Sequence, residues 1–274
     1  MIKITIASDN FRHDDRSISY VFDWCQKNGC DTVEINTING EDFFEGLGFS
    51  PAISLNIDGL ALKKELDRYQ LKVSQLDCHY ALHRWQSIPY MIRGIQMAKA
   101  IGCPAIATTD GAEIPAGMTL DQVYDCAVYH ISQALEFAET HEVMINVEPH
   151  GPLTNNPEYM VKLMKHFDSE WVGVNFDTAN TFIAGNDPVE FTKQLYPWIR
   201  HFHVKDVAPE LAASIGKDTG IAASGVFVGE GINAENIRKI VEFLKEKNWE
   251  GYMSLESRGE ANTLRSLEWF RSIL

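Results

Sequence analysis

Short β-rich runs alternate with amphipathic stretches eight times along this chain, and no other feature limits its fold so tightly. The runs fall at residues 2–7, 32–35, 72–76, 105–108, 144–147, 172–176, 199–204 and 252–255. Stretches with apolar residues at helical spacing follow each of them, at 17–28, 57–69, 85–101, 120–142, 156–167, 187–196, 234–247 and 262–274. Gly29, just past the first stretch, is a helix stop of the usual kind. Strands that alternate with helices need right-handed crossovers and therefore form a parallel sheet. Eight repeats within 274 residues favour closure into a (βα)8 TIM barrel of the α/β class, a single domain over 1–274, with an open doubly wound sheet as the alternative. No GxGxxG follows the first run, so a dinucleotide fold has no local support.

The formal net charge of −14 repels a phosphate backbone and leaves no basic patch for nucleic acid or anionic lipid. Cys25, Cys30, Cys78, Cys103 and Cys126 are odd in number and contain no CxxC pair, so neither a disulfide framework nor a zinc ribbon is expected. The opening MIKITIASDN enters a strand-like run directly, and no apolar stretch approaches the roughly eighteen residues of a membrane span. A cytoplasmic enzyme is expected, with no membrane or nucleic-acid partner; a homo-oligomer is compatible with the sequence.

Two connections are long. Residues 36–56 hold Phe43, Phe44 and Phe49 among glycines and read as a flap with aromatic contact residues, and residues 206–231 leave the seventh run and hold Gly216, Gly220, Gly225 and Gly229. Long connections after barrel strands build substrate pockets, although both could instead serve oligomer contacts.

Four polar residues end consecutive runs in the second half: Glu148, Asp177, His203 and Glu256. Taken singly, each has an ordinary explanation. Glu148 and Glu256 could be surface carboxylates, Asp177 could cap the next helix, and His203 could be a satisfied core histidine. Together, at successive strand ends of one barrel, they converge on a single mouth. Three carboxylates and an imidazole form an oxygen-rich site that suits manganese, with magnesium or cobalt as alternatives. Like carboxylates at close range need a cation to stay ionised. A metal held this way can bind an adjacent carbonyl and hydroxyl and stabilise an enediolate, which eases removal of the proton next to the carbonyl. Glu148 and Glu256, on the fifth and eighth runs, reach opposite faces of a substrate and form the expected acid/base pair. Lys205 shares a face with His203 and is expected near the substrate, or else paired with Asp206 or a core carboxylate.

These residues stand in NVEPHG, NFDTAN, HFHVKD and SLES, and over nearly its full length the chain resembles the xylose-isomerase-like barrels, the sugar isomerase and epimerase superfamily. The resemblance implies the (βα)8 fold, a metal quartet of Glu148, Asp177, His203 and Glu256, and catalysis by Glu148 and Glu256 on a small polyhydroxylated carbonyl substrate, a sugar or a cyclitol. Ketose 3-epimerases of the superfamily carry a His and an Arg where this chain has Asn180 and Pro209. FDTANTFIAGNDP, HFHVKDVAPELA and GVFVGEGIN are instead similar to inosose dehydratases, which eliminate water through the same enolate. Isomerisation or epimerisation is the leading expectation, dehydration of a keto-inositol the second, and a non-catalytic sugar-binding barrel the third. Apurinic endonucleases share the barrel with three zinc ions, but Asn180 and the acidic charge oppose that assignment. His79, His150, Asn180, Lys205, Arg258 and Glu34 are the candidate substrate contacts, and the few Lys and Arg near the mouth argue against a phosphorylated substrate.

Overall fold

The alternation closes into a ring. The computed structural model describes residues 1–38, 51–217 and 225–274. The strands are β1 (Ile2–Ala7), β2 (Thr32–Ile38), β3 (Ile53–Ser54), β4 (Lys72–Ala81), β5 (Ala105–Thr109), β6 (Met144–Val147), β7 (Val172–Asp177), β8 (Ile199–Val204) and β9 (Gly251–Leu255). All pairings are parallel. β1 pairs with β9 on one side, and with β2 on the other through Ile6 opposite Val33 and Ala7 opposite Glu34, which seals the barrel. The two-residue β3 stands outside the ring beside the end of β2, so the other eight strands form the barrel. The expected flap of residues 36–56 falls largely outside the described residues, as does 218–224 of the connection at 206–231.

The helices are α1 (Ile18–Lys27), α2 (Gly59–Arg68), α3 (Ser87–Ile101), α4 (Leu120–His141), α5 (Pro157–Phe167), α6 (Thr178–Ile183), α7 (Pro188–Leu195), α8 (Ala234–Glu246) and α9 (Glu260–Ile273). Local chemistry sets their starts. Ser17, Asp58, Thr119, Asn156 and Asp187 each accept a first-turn N–H, and Thr119 with Gln122 completes a capping box. Pro157 and Pro188 occupy first-turn positions, where the missing N–H costs nothing. The short α6 is not evident from sequence periodicity; it begins because Asp177 itself is its N-cap.

The apolar core lies between the ring and the helices. Ile237, Ile240, Val241 and Leu244 of α8 repeat at helical spacing and are all buried, as are Val147, Phe176, Phe202 and Leu255 on the strands. Phe176 meets Phe191 of α7 with ring centroids 5.7 Å apart, and Phe202 meets Trp249 at 5.3 Å. Each such side chain stabilises the fold by about 1.5–3 kcal/mol on burial. Because side chains alternate along a strand, the neighbours of these residues point into the bore. There the barrel is polar, in contrast to the branched aliphatic filling usual for this architecture. Thr5 accepts from Ser74 at 3.1 Å, Asn146 donates to Gln75 at 2.7 Å, and Gln75 donates to Glu34 at 2.8 Å. These bonds satisfy groups that would be costly to bury alone. All five cysteines are thiols, and Cys126 alone among them is not buried.

Candidate metal centre and active site

Barrel geometry gathers the residues at the C-terminal ends of adjacent strands. Asp177 is the last residue of β7, His203 lies within β8, and Glu148 and Glu256 immediately follow β6 and β9. Glu148, Asp177 and His203 are almost wholly buried, and one ligand atom from each lies within 4.8 Å of the others. His203 Nδ1 is 2.9 Å from Glu148 Oε2 and 3.6 Å from Glu256 Oε1. Glu256 stands at the edge of this group with its side chain 15% exposed, and its other oxygen pairs with Lys205. The Lys205 ammonium also lies 3.3 Å from Asp177 Oδ2. Lys205 therefore bridges two of the expected ligands instead of pairing with Asp206. The Asp206 carboxylate accepts the backbone N–H groups of Val207, Gly229, Gly231 and Asn233.

Asp177 fills both roles considered for it. Its Oδ1 accepts from Ala179 and Asn180 N–H at 2.8 Å as the α6 cap, which leaves Oδ2 aimed at the mouth. Asn180 is carried round by that turn and donates to Glu148 Oε1 at 3.1 Å, while Asn175 donates to Glu148 Oε2 at 2.9 Å. His79 Nε2 lies 3.0 Å from Glu148 Oε2 and 3.1 Å from Asp77 Oδ1, and its ring meets that of His150 edge-on at 5.7 Å.

Two expected substrate contacts need correction. Glu34 is fully buried beneath His203: its Oε1 lies 2.9 Å from His203 Nε2 and accepts from Gln75. It occupies this place because Glu34 is in the middle of β2, which continues to Ile38, and not at the strand end assumed from sequence. That contact fixes the imidazole so that Nδ1 faces Glu148 and Glu256. Arg258 is exposed two residues past Glu256 and lies outside the pocket wall. Conversely, Asp9, Arg12 and Asp77 line the central pocket of about 160 Å³ and were not anticipated, whereas Asn36 and Thr37, which also line it, fall in the connection expected to build it. For Asp77 the signal was present: Asp77 and His79 alternate along β4, which runs on to Ala81.

The electrostatics describe a carboxylate cluster that needs positive charge. Burial pushes Asp77 up to about 7 and Asp177 up to about 6, the latter reinforced by Glu148 and Glu256 against the pull of Lys205. Burial works the other way on His79, yet the Asp77 and Glu148 carboxylates outweigh it and lift its pKa to about 9. His203 is likewise raised despite burial, by Glu34, Glu256 and Glu148. Burial also opposes ionisation of Glu148, but His203 and His79 hold it well below the usual carboxylate range. His150 is neutral, its pKa pushed down by burial to about 4.

The donor set fits a divalent cation. His203 Nδ1 is buried and has no protein hydrogen-bond partner despite its nearness to Glu148 and Glu256, the arrangement of atoms aimed at a shared point rather than at one another. Protons on His203 and His79 balance the carboxylates here, and a dication supplies the same charge. His79, Glu148 and His150 form a second triad with metal-ligand spacing, and Glu34, His201 and His203 a third deeper in the bore.

A closed parallel barrel with a carboxylate and imidazole cluster at the C-terminal mouth defines the class. The chain belongs to the xylose isomerase-like TIM barrel family, whose model matches residues 22–273. It is 26% identical over 155 residues to the inosose dehydratase of Clostridium botulinum (strain Eklund 17B / Type B), covering 54% of this chain and 52% of that protein. The chain spans about half the length of the curated relatives it matches. Among solved structures, a D-tagatose 3-epimerase-like protein superposes with a TM-score of 0.77 at 19% identity, over 99% of this chain and 96% of that one. The IOLI protein, solved with a bound zinc atom, gives 0.75 at 15% identity over 99% and 96%. At these identities the structural matches speak for the fold. The curated relatives the chain matches include an inosose dehydratase and a 3-dehydroshikimate dehydratase, both named as enzymes. No helix among the described residues is long and apolar enough to cross a membrane.

Proposed function

We propose that this chain is a divalent-metal-dependent enzyme that removes the proton next to the carbonyl of a small polyhydroxylated ketone or aldehyde and returns it, as a sugar isomerase or epimerase. The nearness of His203 Nδ1 to both Glu148, at 2.9 Å, and Glu256, at 3.6 Å, supports this assignment, because it brings two carboxylates to one ligand-ready atom. Glu148, Asp177, His203 and Glu256 would hold the metal, manganese first, with magnesium and cobalt as alternatives; a barrel of the same fold holds zinc. When bound there, the ion supplies Lewis-acid stabilisation of the negative charge that forms on the substrate oxygens. The remaining steps belong to side chains. Glu256, ionised and partly exposed at the mouth, accepts the proton from the substrate carbon. Lys205 steadies Glu256 and Asp177 through its ammonium. Glu148, ionised at rest, returns a proton to the carbon by relaying it from His79, which carries one 3.0 Å away. His150 and Asn180 at the pocket wall are positioned for the substrate hydroxyls.

Dehydration is the second reading, supported by Asn180 standing where ketose 3-epimerases carry a His and by the curated inosose dehydratase relative. It shares the proton removal and then expels a hydroxyl from the neighbouring carbon as water. Solvent deuterium incorporation into a panel of ketoses and inososes with manganese, followed by NMR and by ultraviolet absorbance, separates these outcomes. Label without absorbance change is expected of an isomerase or epimerase; a rising enone band identifies a lyase. Substrate binding with neither signal would reduce the chain to a sugar-binding barrel and overturn the proposal.

A further inference from the structure

The two imidazoles that wall the central pocket also wall a second, larger cleft. His79 and His150 border both spaces, so the cleft adjoins the central pocket. The central pocket of about 160 Å³ is below the roughly 300–1,000 Å³ usual for ligand sites, while the adjoining cleft, about 630 Å³, lies within that range. Its shape is built by packing. The Asp110 carboxylate accepts from Gly151 N–H at 2.9 Å, Leu153 N–H at 2.7 Å and the Thr154 hydroxyl at 2.6 Å, which ties the connection after β5 to the one after β6. The Asp110 carbonyl meets His83 Nδ1 at 3.3 Å and draws in the connection after β4. A Cβ on Gly111 would stand 2.9 Å from that of Ala81, so these walls touch.

The lining sets the chemistry of the occupant. Ala81, Ala112, Ile114 and Pro115 supply apolar surface, and one Arg84 faces the cleft with one Glu113, a pairing with no net charge. Ile114 is exposed, and so is Trp85, the residue after Arg84 in the chain. An apolar wall beside a polar site suits the uncharged part of a ligand. We propose that the substrate is a polyhydroxylated ketone carrying a bulky, uncharged substituent, whose ring reacts at the centre while the substituent lodges between residues 81–84 and 111–116. This rests on the enolising site described above and names the class of compound it takes.

Calorimetric titration of the manganese-loaded protein with the 3-keto forms of phenyl and methyl β-D-glucopyranoside, and with glucose 6-phosphate, tests it. The phenyl glycoside is expected to bind roughly tenfold more tightly than the methyl glycoside, a difference within reach of one buried ring. Ala112→Trp, which fills the cleft, should abolish that advantage while leaving methyl glycoside binding and deuterium exchange into small ketoses unchanged; Ala116→Trp replaces it where the first variant fails to fold. Equal binding of the two glycosides, no binding of either, an advantage that survives both substitutions, or tightest binding of the phosphate would each overturn the substituent pocket. Loss of exchange from every ketose and inosose, with the phenyl preference intact, would instead sink the enolisation proposal alone.

Discussion

Glu148 is held by four side chains at the mouth: Asn175 and Asn180 donate to it, and His79 and His203 press their nitrogens against it. Such convergence orients a carboxylate for proton transfer, so Glu148→Gln and Glu256→Gln are each expected to lower turnover by about 10²–10⁴-fold with the far-ultraviolet circular dichroism unchanged. A variant that keeps the wild-type rate removes that residue from the chemistry. Deeper in the bore, the Glu148 carboxylate dictates the Asn175 orientation. Its Nδ2 must face Glu148, so its Oδ1 faces His201 Nδ1 at 2.9 Å and His201 is the neutral Nδ1–H tautomer. Burial pushes the His201 pKa down to about 4. The unfolded chain binds a proton there near 6.5 and the folded chain does not, so this stability is complete above 6.5 and is lost as pH falls to about 4. The loss amounts to about 3 kcal/mol, and His201→Gln should flatten that part of the curve of urea stability against pH. An unaltered curve in the variant would assign the acid sensitivity elsewhere.

Individual elements were legible from the sequence where periodicity was clean and poorly so where polar residues entered the barrel. The eight barrel strands and a helix after each were recoverable from alternation, as were the strand-end positions of Glu148, Asp177 and His203, because each follows an apolar residue. β2 and β4 read too short because Asn36, Asp77 and His79 look like the start of loops, although alternation carries them along one face. That truncation hid Asp77 and misplaced Glu34. The α6 turn was invisible because Asp177 starts it from inside a strand. Cross-barrel partners such as His201 with Ser74 have no local signature at all. The connection after β6 offers a test at this scale. A Cβ on Gly151 would stand 1.7 Å from the Gly111 carbonyl oxygen, which neither backbone can yield cheaply. Gly151→Ala should therefore lower urea stability by about 3 kcal/mol, and Asp110→Asn by about 2 kcal/mol through lost acceptors for buried N–H groups. Both should also slow turnover by displacing His150. Full stability in Gly151→Ala would show that the connection can open without cost.

At the scale of the whole molecule, the apolar shell between strands and helices carries stability while the polar bore carries chemistry, and the two meet only through side-chain alternation along each strand. This division lets the barrel hold Glu34, Asp77, Glu148, Asp177 and Glu256 at or just below its mouth against His79, His203 and Lys205. It also places the Lys205 ammonium between Asp177 and Glu256, where it competes for the oxygens a dication needs. The most direct measurement is an anomalous X-ray map of crystals grown with manganese. One peak within ligand distance of Glu148, Asp177, His203 and Glu256, with Lys205 withdrawn from between the two carboxylates, is the predicted result. A manganese peak elsewhere in the barrel, or none at saturating manganese with Lys205 still bridging Asp177 and Glu256, would contradict it.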